Sequence, residues 1–239
     1  MPRNDKRRHN QLRPISFELN YTRWAEGSVL ARFGETHVLC NVTIENRLPQ
    51  WLHLQDNPHG WLTAEYALLP RSTHRRVQRE QRWPKGRTQE ISRLIGRSLR
   101  MALDLHELGH RQLIVDCDVL QADGGTRTAA VSGGWVAVAL ALNKLIKRGT
   151  LSPAVIKRQV GAISVGLLGD EALLDLNYQE DVDAAVDFNV VATPDGDLIE
   201  VQGTAESAPM ARAQMDELVD LALGGIKELA ELQLTVLAA

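Results

Sequence analysis

Cysteine is scarce in this sequence, whose 239 residues include only Cys40 and Cys117. Two isolated cysteines cannot build a disulfide scaffold, and their separation lacks the close spacing of a structural zinc site. Both stand in apolar, strand-like stretches. We therefore predict buried thiols, a reduced protein and a cytoplasmic location.

Long hydrophobic runs and aromatic side chains are also in short supply. No apolar segment approaches the length of a membrane span, and the basic, polar N-terminus lacks the hydrophobic segment of a secretory signal. Aromatic residues make up 5% of the chain, which leaves little material for stacking on nucleic-acid bases. Hydrophobic residues make up 44%, so the chain can still bury a full core.

What the sequence does contain is a polar junction between two apolar elements. Residues 113–120 alternate apolar and polar side chains and predict a strand, whereas residues 129–145 predict a buried helix. At the junction, the pair Gly124-Gly125 allows the backbone to approach a ligand, and the free amides at a helix start attract an anion. Arg127 adds a planar donor fork that suits phosphate oxygens.

Local sequence leaves two interpretations of this junction open. One is an oxyanion cradle, most suited to phosphate, and the other is a tight strand-to-helix turn with a surface arginine. The chain has neither a Gly-x-x-x-x-Gly-Lys-Ser/Thr loop nor a dinucleotide fingerprint. A cradle here is therefore not one of the common nucleotide-binding types.

Charge is segregated along the chain, although the formal net charge is only -3. Residues 71–100 hold ten Lys or Arg against two acids, and residues 1–13 hold five against one. Residues 170–206 hold eleven Asp or Glu and no Lys or Arg. A solvated surface is the simpler explanation of any one charge run. Basic stretches that face a phosphate backbone, with an acidic segment able to hold a divalent cation, are what phosphodiester chemistry requires.

The order of predicted elements indicates an α+β protein made of two related β-rich halves with packed helices. Hairpins are predicted at 29–42, turning at Gly34-Glu35, and at 163–178, turning at Gly169-Asp170. Each half then ends in long helices. The predicted helices and turns are a helix over 88–108, a turn at 194–197, and a last helix over 210–232 capped by Ser207.

The helix predicted over 88–108 has two chemically distinct faces. Its apolar face comprises Ile91, Leu94, Ile95, Leu99, Ala102 and Leu105. Arg93, Arg97 and Arg100 fall on the opposite face and are predicted to point outward. Trp83 is the one aromatic residue in the basic stretch, where it can serve base stacking or packing.

Several ordered blocks of sequence carry a family resemblance. They are Asn20-Tyr21-Thr22, Ala25-Glu26-Gly27-Ser28, Thr63-Ala64-Glu65-Tyr66, Pro70-Arg71-Ser72-Thr73, Gly86-Arg87-Thr88, Arg93-Leu94-Ile95-Gly96-Arg97, residues 116–128, and Glu200-Val201-Gln202-Gly203-Thr204. With these blocks the chain closely resembles the ribonuclease PH family, phosphate-dependent bacterial exonucleases that trim tRNA 3′ ends. The resemblance runs from residue 11 to the last helix.

The resemblance implies a ribosomal protein S5 domain 2-like fold, doubled (the RNase PH fold). It implies an N-terminal half over 11–145 with the phosphate cradle and a C-terminal half over 159–232 with the acidic catalytic pair. Residues 1–10 precede the resemblance and form a basic N-terminal segment by their composition. It also implies a homohexameric ring, a trimer of dimers.

Site residues follow from the same resemblance, position by position. The phosphate site maps onto Arg87, Gly125, Thr126 and Arg127, and the RNA-binding arginines map onto Arg71, Arg76 and Arg79. The catalytic pair maps onto Asp181 and Asp187, which also stand as the ligands of Mg²⁺. The stretch between Arg79 and Arg87 looks short for the family, and Val182-Asp183 and Phe188 are unusual there, but both aspartates are in place.

The implied activity is phosphorolytic 3′-to-5′ removal of nucleotides from tRNA precursors, with roles in tRNA and rRNA processing and with nucleotide addition in reverse. Inorganic phosphate is the co-substrate and nucleoside diphosphates are the products. The alternatives are a non-catalytic RNA-binding subunit of an exosome-like ring and a hydrolytic nuclease. Phe188 and Val190 alternate with Asp187, which predicts that Asp187 points away from the apolar face. Asp181 shares its face only if the chain stays extended, and a bend at 181–184 is the other possibility.

Overall fold

The computed structural model describes residues 3–80, 85–206 and 209–238, which form two sheets and their helices. The first sheet has the order β1-β2-β3-β5-β4, in which β4 and β5 are parallel and the other neighbours are antiparallel. Its strands are β1 Ile15–Leu19, β2 Gly27–Phe33, β3 Thr36–Glu45, β4 Trp61–Leu68 and β5 Gln112–Gln121. The helices between them are α1 Gln50–His53, α2 Gly86–Met101 and α3 Leu105–Leu108.

The second sheet is antiparallel throughout, in the order β7-β6-β8-β9. Its strands are β6 Gly161–Leu168, β7 Glu171–Leu174, β8 Val186–Ala192 and β9 Leu198–Ala205. The remaining helices are α4 Thr126–Lys147, α5 Tyr178–Asp183 and α6 Arg212–Ala238, and one 3-10 turn lies at Pro153–Val155. The α+β class and the two β-rich halves are confirmed. The residue limits given to the halves stay a prediction.

Helix α4 lies between the two sheets and joins them into one core. A Cβ on Gly133 would stand 2.6 Å from the Cβ of Ala31 in β2, so glycine is what lets the helix approach the first sheet. On the other side, the Ser132 hydroxyl donates to the Ala162 carbonyl of β6 at 3.1 Å. Because sheets cover both faces, α4 is apolar nearly all round.

This burial corrects one expectation from composition. Helix α4 is long and apolar enough, by length and composition alone, to cross a membrane, although no such run was expected. Most of its apolar stretch is buried inside the protein, as in the core helix of a globular fold.

Both predicted hairpins are confirmed, with their turns at Gly34-Glu35 and Gly169-Asp170. The second is shorter than predicted: β7 ends at Leu174 because Asp175 adopts a left-handed backbone with φ of 55°. Cys40 and Cys117 face each other across β3 and β5, and both thiols are buried and free. The prediction of buried thiols is therefore confirmed.

The single helix predicted over 88–108 is wrong, because the chain breaks it between α2 and α3. Leu103 leaves the helix to form an isolated β-bridge with Ile156, in the segment that joins the two halves, a contact that local sequence does not reveal. Asp104 then starts α3, and its carboxylate accepts from the amides of His106 and Glu107. The end predicted at Leu108 is confirmed, because α3 ends there and Gly109 follows it with φ of 67°.

The last helix is longer than the predicted 210–232 and extends from Arg212 to Ala238. Its proposed cap, Ser207, lies outside the described residues, as do Arg82 and Trp83. The turn at 194–197 is confirmed between β8 and β9.

Candidate active site

The junction after β5 forms a glycine turn at the start of α4. Gly124 and Gly125 both have positive φ, 76° and 62°, and Gly125 stands at the N-terminal cap of the helix. A Cβ on Gly124 would lie 2.7 Å from the Leu176 carbonyl oxygen, so only glycine admits the segment that leads into α5. The first helical turn of α4, whose backbone amides have no partner within the helix, therefore lies beside the second half of the protein.

Two threonines set the geometry of this turn. The Thr128 hydroxyl donates to the Gly125 carbonyl at 2.9 Å, which fixes the turn from within. The Thr126 hydroxyl lies 2.8 Å from the phenol oxygen of Tyr66 on β4. Burial raises the pKa of Tyr66, so its phenol stays protonated and can donate to Thr126 or accept from it.

Arg127 reaches from the first half to the second. Its Nη1 donates to the Gln202 amide oxygen on β9 at 2.7 Å, and its Nη2 lies 3.9 Å from the Glu90 carboxylate on α2. Gln202 in turn donates to Glu90 at 2.9 Å, so the three side chains form a closed triangle. The guanidinium is thus oriented before any ligand binds.

Arg87 lies in the first turn of α2 and is exposed. Within the described ranges of the chain, it makes no hydrogen bond or ion pair. Its charge nevertheless acts on Tyr66, Asp181 and Asp187, and the charge of Arg127 acts on the same three groups. Both arginines therefore lie within electrostatic reach of the same phenol and carboxylates.

Asp181 lies in α5, which settles the alternatives for residues 181–184. The chain is not extended there but helical, and the helix begins in a capping box of Asn177 and Glu180. Burial and repulsion from Asp187 raise the pKa of Asp181, and Arg127 and Arg87 oppose that rise. The two aspartates thus meet across a helix and a strand.

Asp187 lies on β8 and points away from the apolar face, as predicted. Its neighbours Val186 and Phe188 are buried, whereas Asp187 is half-buried opposite Thr204 of β9. Burial and repulsion from Glu206 raise the pKa of Asp187, and Arg127 and Arg87 again act against the rise.

Arg71, Arg76 and Arg79 are exposed on the loop that follows β4. The base of this loop is fixed, because Ser72 is buried and its carbonyl accepts from the Ala122 amide at 2.8 Å. The base of the loop therefore lies beside Ala122, which is two residues before the glycine turn in the chain. The charge of Arg79 acts on Asp118 of β5. Burial raises the pKa of Asp118, and the charge of Arg79 lowers it.

The other predicted basic surfaces need correction. Arg3, Arg7 and Arg13 form ion pairs inside the protein, so most of the N-terminal basic charge does not face a partner. On the face of α2 predicted to point outward, Arg93 and Arg97 are exposed, whereas Arg100 is half-buried and stacks on the Trp61 ring at 4.5 Å.

Three of these functional contacts escaped the sequence analysis: Tyr66, Gln202 with Glu90, and Glu206. Gln202 and Glu206 carry a usable signal, since they stand two residues before and two residues after Thr204, the residue of β9 that pairs with Asp187. Tyr66 carries none beyond its place in a strand, because its partner lies 60 residues away.

Comparison with known proteins assigns the class of this chain. Residues 11–143 match the 3′ exoribonuclease family, domain 1, and residues 158–225 match its domain 2. The chain therefore belongs to the 3′ exoribonuclease family.

Within that family, the particular relatives are named Ribonuclease PH. That of Crocosphaera subtropica is 58% identical over 97% of this chain and 95% of its own length. That of Acaryochloris marina is 54% identical over 99% and 98%. At this similarity over nearly the full length, the chain is a phosphorolytic 3′ exoribonuclease and nucleotidyltransferase that acts on RNA and uses phosphate. A non-catalytic subunit is not favoured.

Two solved structures share the fold at lower identity. The crystal structure of rice Rrp46 has a TM-score of 0.80 and 19% identity, and the match covers 98% of this chain and all of that one. The Archaeoglobus fulgidus exosome with RNA bound to the active site has a TM-score of 0.78 and 21% identity, covering 96% and 91%.

Proposed function

We propose that the cleft between the glycine turn and α5 binds inorganic phosphate and the 3′ end of RNA side by side. Arg87, Arg127, the hydroxyl of Thr126 and the amides at Gly125 and Thr126 hold the phosphate. The observation that carries this proposal is the hydrogen bond from Arg127 to Gln202 on β9, two residues from Thr204, which pairs with Asp187. The glycine turn also packs against the segment that leads into α5, and the charges of both arginines act on both aspartates. In this proposal one cleft combines arginines that bind the phosphate and the RNA with carboxylates that assist the leaving group.

The reaction exchanges one phosphorus–oxygen bond for another. An oxygen of inorganic phosphate attacks the last phosphodiester, the bond to the 3′-oxygen of the preceding nucleotide breaks, and a nucleoside diphosphate leaves. Nucleophile and substrate are both anionic, so Arg87 and Arg127 first offset their repulsion and then align them in line. The bonds broken and formed have similar energy, which makes the reaction reversible.

The departing 3′-oxygen needs a proton or a cation. Asp187 can supply a proton, since its raised pKa keeps more of it protonated than an ordinary carboxyl group. Asp181 can assist as an electrostatic partner. In the described part of the chain, no group of three or more His, Cys, Asp or Glu side chains forms a complete metal site.

Two carboxylates nonetheless fit Mg²⁺, which commonly binds one or two protein carboxylates together with substrate phosphates and water. The mutual repulsion of Asp181 and Asp187 is the charge pattern that a divalent cation would relieve. Asp181 and Asp187 would hold the ion, which would neutralise developing negative charge.

The wider setting completes the proposal. We infer that tRNA precursors are the main substrates, that Arg71, Arg76 and Arg79 guide them to the cleft, and that six subunits form a ring. Free buried thiols fit work in the reducing cytoplasm. A solution mass six times that of the chain is expected, and a monomer would contradict the ring.

Phosphate dependence tests the activity directly. RNA labelled in its 3′-terminal nucleotide is incubated with and without inorganic phosphate, and products are separated by charge. Labelled nucleoside diphosphate is expected only with phosphate. Nucleoside monophosphate formed without phosphate would instead assign a hydrolytic nuclease.

The arginine loop gives a prediction about substrate size. Changing Arg71, Arg76 and Arg79 together to alanine should weaken tRNA binding and reduce its salt-dependence slope by roughly three units, about one for each lost phosphate contact. Cleavage of a very short RNA should change less, because it does not reach the loop. Filter binding across salt concentrations measures the slope.

A charge-matched control uses Arg47, Arg148 and Arg212, three exposed arginines on other elements. Their combined change to alanine should leave both substrates unaffected. Equal losses on tRNA and short RNA in the loop variant would contradict a guiding role.

A further inference from the structure

Arg13 connects the phosphate cradle to the opposite half of the protein. Its side chain is buried, and its Nε and Nη2 donate to the two carboxylate oxygens of Asp175 at 3.0 and 2.7 Å. Its Nη1 donates to the Asp123 carbonyl at 2.6 Å, just before the glycine turn. One guanidinium therefore holds the cradle backbone and the end of β7 together.

Asp175 fixes the chain just before α5, the helix that carries Asp181. It is fully buried and has a left-handed backbone, and its amide donates to the Ser164 carbonyl at 2.7 Å. A non-glycine residue with that φ is strained and persists only when its surroundings fix it. Two residues later, Asn177 caps α5, which carries Asp181.

Arg3 makes a parallel connection directly beside Asp181. Its Nε and Nη2 donate to the two carboxylate oxygens of Glu180 at 2.8 and 2.7 Å, and its Nη1 donates to the Leu174 carbonyl at 2.8 Å. Glu180 is buried and also belongs to the capping box of α5. The residue next to Asp181 is therefore anchored to the N-terminal segment.

Apolar packing alone fixes this region weakly. Among the described residues, the buried cluster around α5 comprises Leu173, Leu176 and Ala184, with Leu168 partly buried against it, and is separate from the main core. A cluster of three contributes few contacts, whereas bidentate arginine–carboxylate pairs constrain both distance and angle. Buried pairs of this kind are better suited to fixing one geometry than to adding stability.

We propose that Arg3 and Arg13 are positioning residues, which together set Asp181 at its working distance from the phosphate cradle. This inference rests on the proposed function of the cleft. Both arginines are buried and donate to Glu180, Asp175 and the cradle backbone, so they act through these groups. We call these four side chains the N-terminal clamp.

The two arginines have separable expected effects. Arg3→Gln should lower kcat by about 10- to 100-fold, the range that a small misplacement of a reacting group can cost, with the KM for phosphate nearly unchanged. Arg13→Gln should lower kcat and also raise the KM for phosphate, because Arg13 touches the cradle carbonyls. Arg3→Lys keeps the charge but not the fork, so it should restore kcat only in part.

A matched variant separates positioning from general destabilisation. Leu229→Ala removes a buried side chain from α6, outside the clamp, and should lower the melting temperature while kcat stays near wild type. Steady-state kinetics with varied phosphate, together with melting curves, are measured for all variants as full chains. A clamp variant that loses no more kcat than Leu229→Ala at equal melting temperature would overturn the proposal.

Glu180→Gln serves if the arginine variants fold poorly, since it keeps the shape of the side chain and removes its charge. It should lower kcat as Arg3→Gln does. Failure of every clamp variant to fold would reduce the clamp to a stability element and overturn the proposal as well. Arg127→Ala, assayed in parallel, tests the cleft itself. If only that variant keeps wild-type activity, the proposed function fails rather than the clamp.

Discussion

Replacing Arg127 with alanine is expected to lower kcat/KM for phosphate by about 10²- to 10³-fold, the usual cost of removing one oriented donor from a charge-stabilising site. The guanidinium is held by Gln202 and Glu90, so its donors are already directed when phosphate arrives. Alanine removes both the charge and the donor fork. RNA affinity should change little, because the loop arginines lie on a separate element.

The control for this variant lies at the other end of the same helix. Arg148 caps the C-terminal end of α4 and is exposed, so Arg148→Ala makes the same chemical change about 30 Å away, given 1.5 Å per helical residue. Initial rates at varied phosphate, with RNA saturating, measure both variants. Normal turnover of Arg127→Ala at low phosphate would remove this residue from the cradle.

The local part of the site could be predicted from sequence because periodicity reports which face a side chain occupies. Alternation over 113–120 gave the strand that leads to the cradle, and alternation around Phe188 gave the outward direction of Asp187. Glycines marked the turns at Gly34 and Gly125, both of which have positive φ. These features depend on residues that are neighbours in the chain.

Pairing across the chain could not be predicted in the same way. Arg127 meets Gln202 at a separation of 75 residues, and Arg3 meets Glu180 at 177, and no period links such positions. The break after α2 has the same origin, since Leu103 leaves the helix to pair with Ile156. Tertiary contacts override local preference at such points.

Charge counting failed for a related reason. It identified basic and acidic stretches correctly but could not tell a surface that binds RNA from one that pairs within the protein. The N-terminal arginines bind the acidic residues of the second half, Asp175 and Glu180, so part of the segregated charge is used for folding. What is left exposed near the cleft is the loop that carries Arg71, Arg76 and Arg79.

Replacing Asp187 with asparagine is expected to lower kcat by about 10²- to 10⁴-fold, the range for loss of a general acid or base. Asparagine keeps the size of the side chain, but it can neither donate a proton as an acid at neutral pH nor bind a cation through a negative charge. RNA and phosphate binding should persist. Single-turnover rates measure the chemical step, and near-normal rates would exclude Asp187 from it.

The same substitution should raise stability, which gives a second test independent of catalysis. The folded-state pKa of Asp187 lies above the ordinary value of 3.8, so its ionisation begins to cost stability as the pH rises above 3.8, and the cost is complete once the pH exceeds the raised pKa. Asp187→Asn removes this cost, so its melting temperature should exceed that of the wild type at pH 7. The difference should shrink as the pH falls through the raised pKa and should vanish below 3.8, where both states bind the proton. Asp195→Asn, in the exposed turn at the far end of β8, should show neither effect.

A lower melting temperature for Asp187→Asn at neutral pH would contradict the prediction. It would mean that the arginines of the cleft outweigh burial, and that Asp187 is not poised to carry a proton.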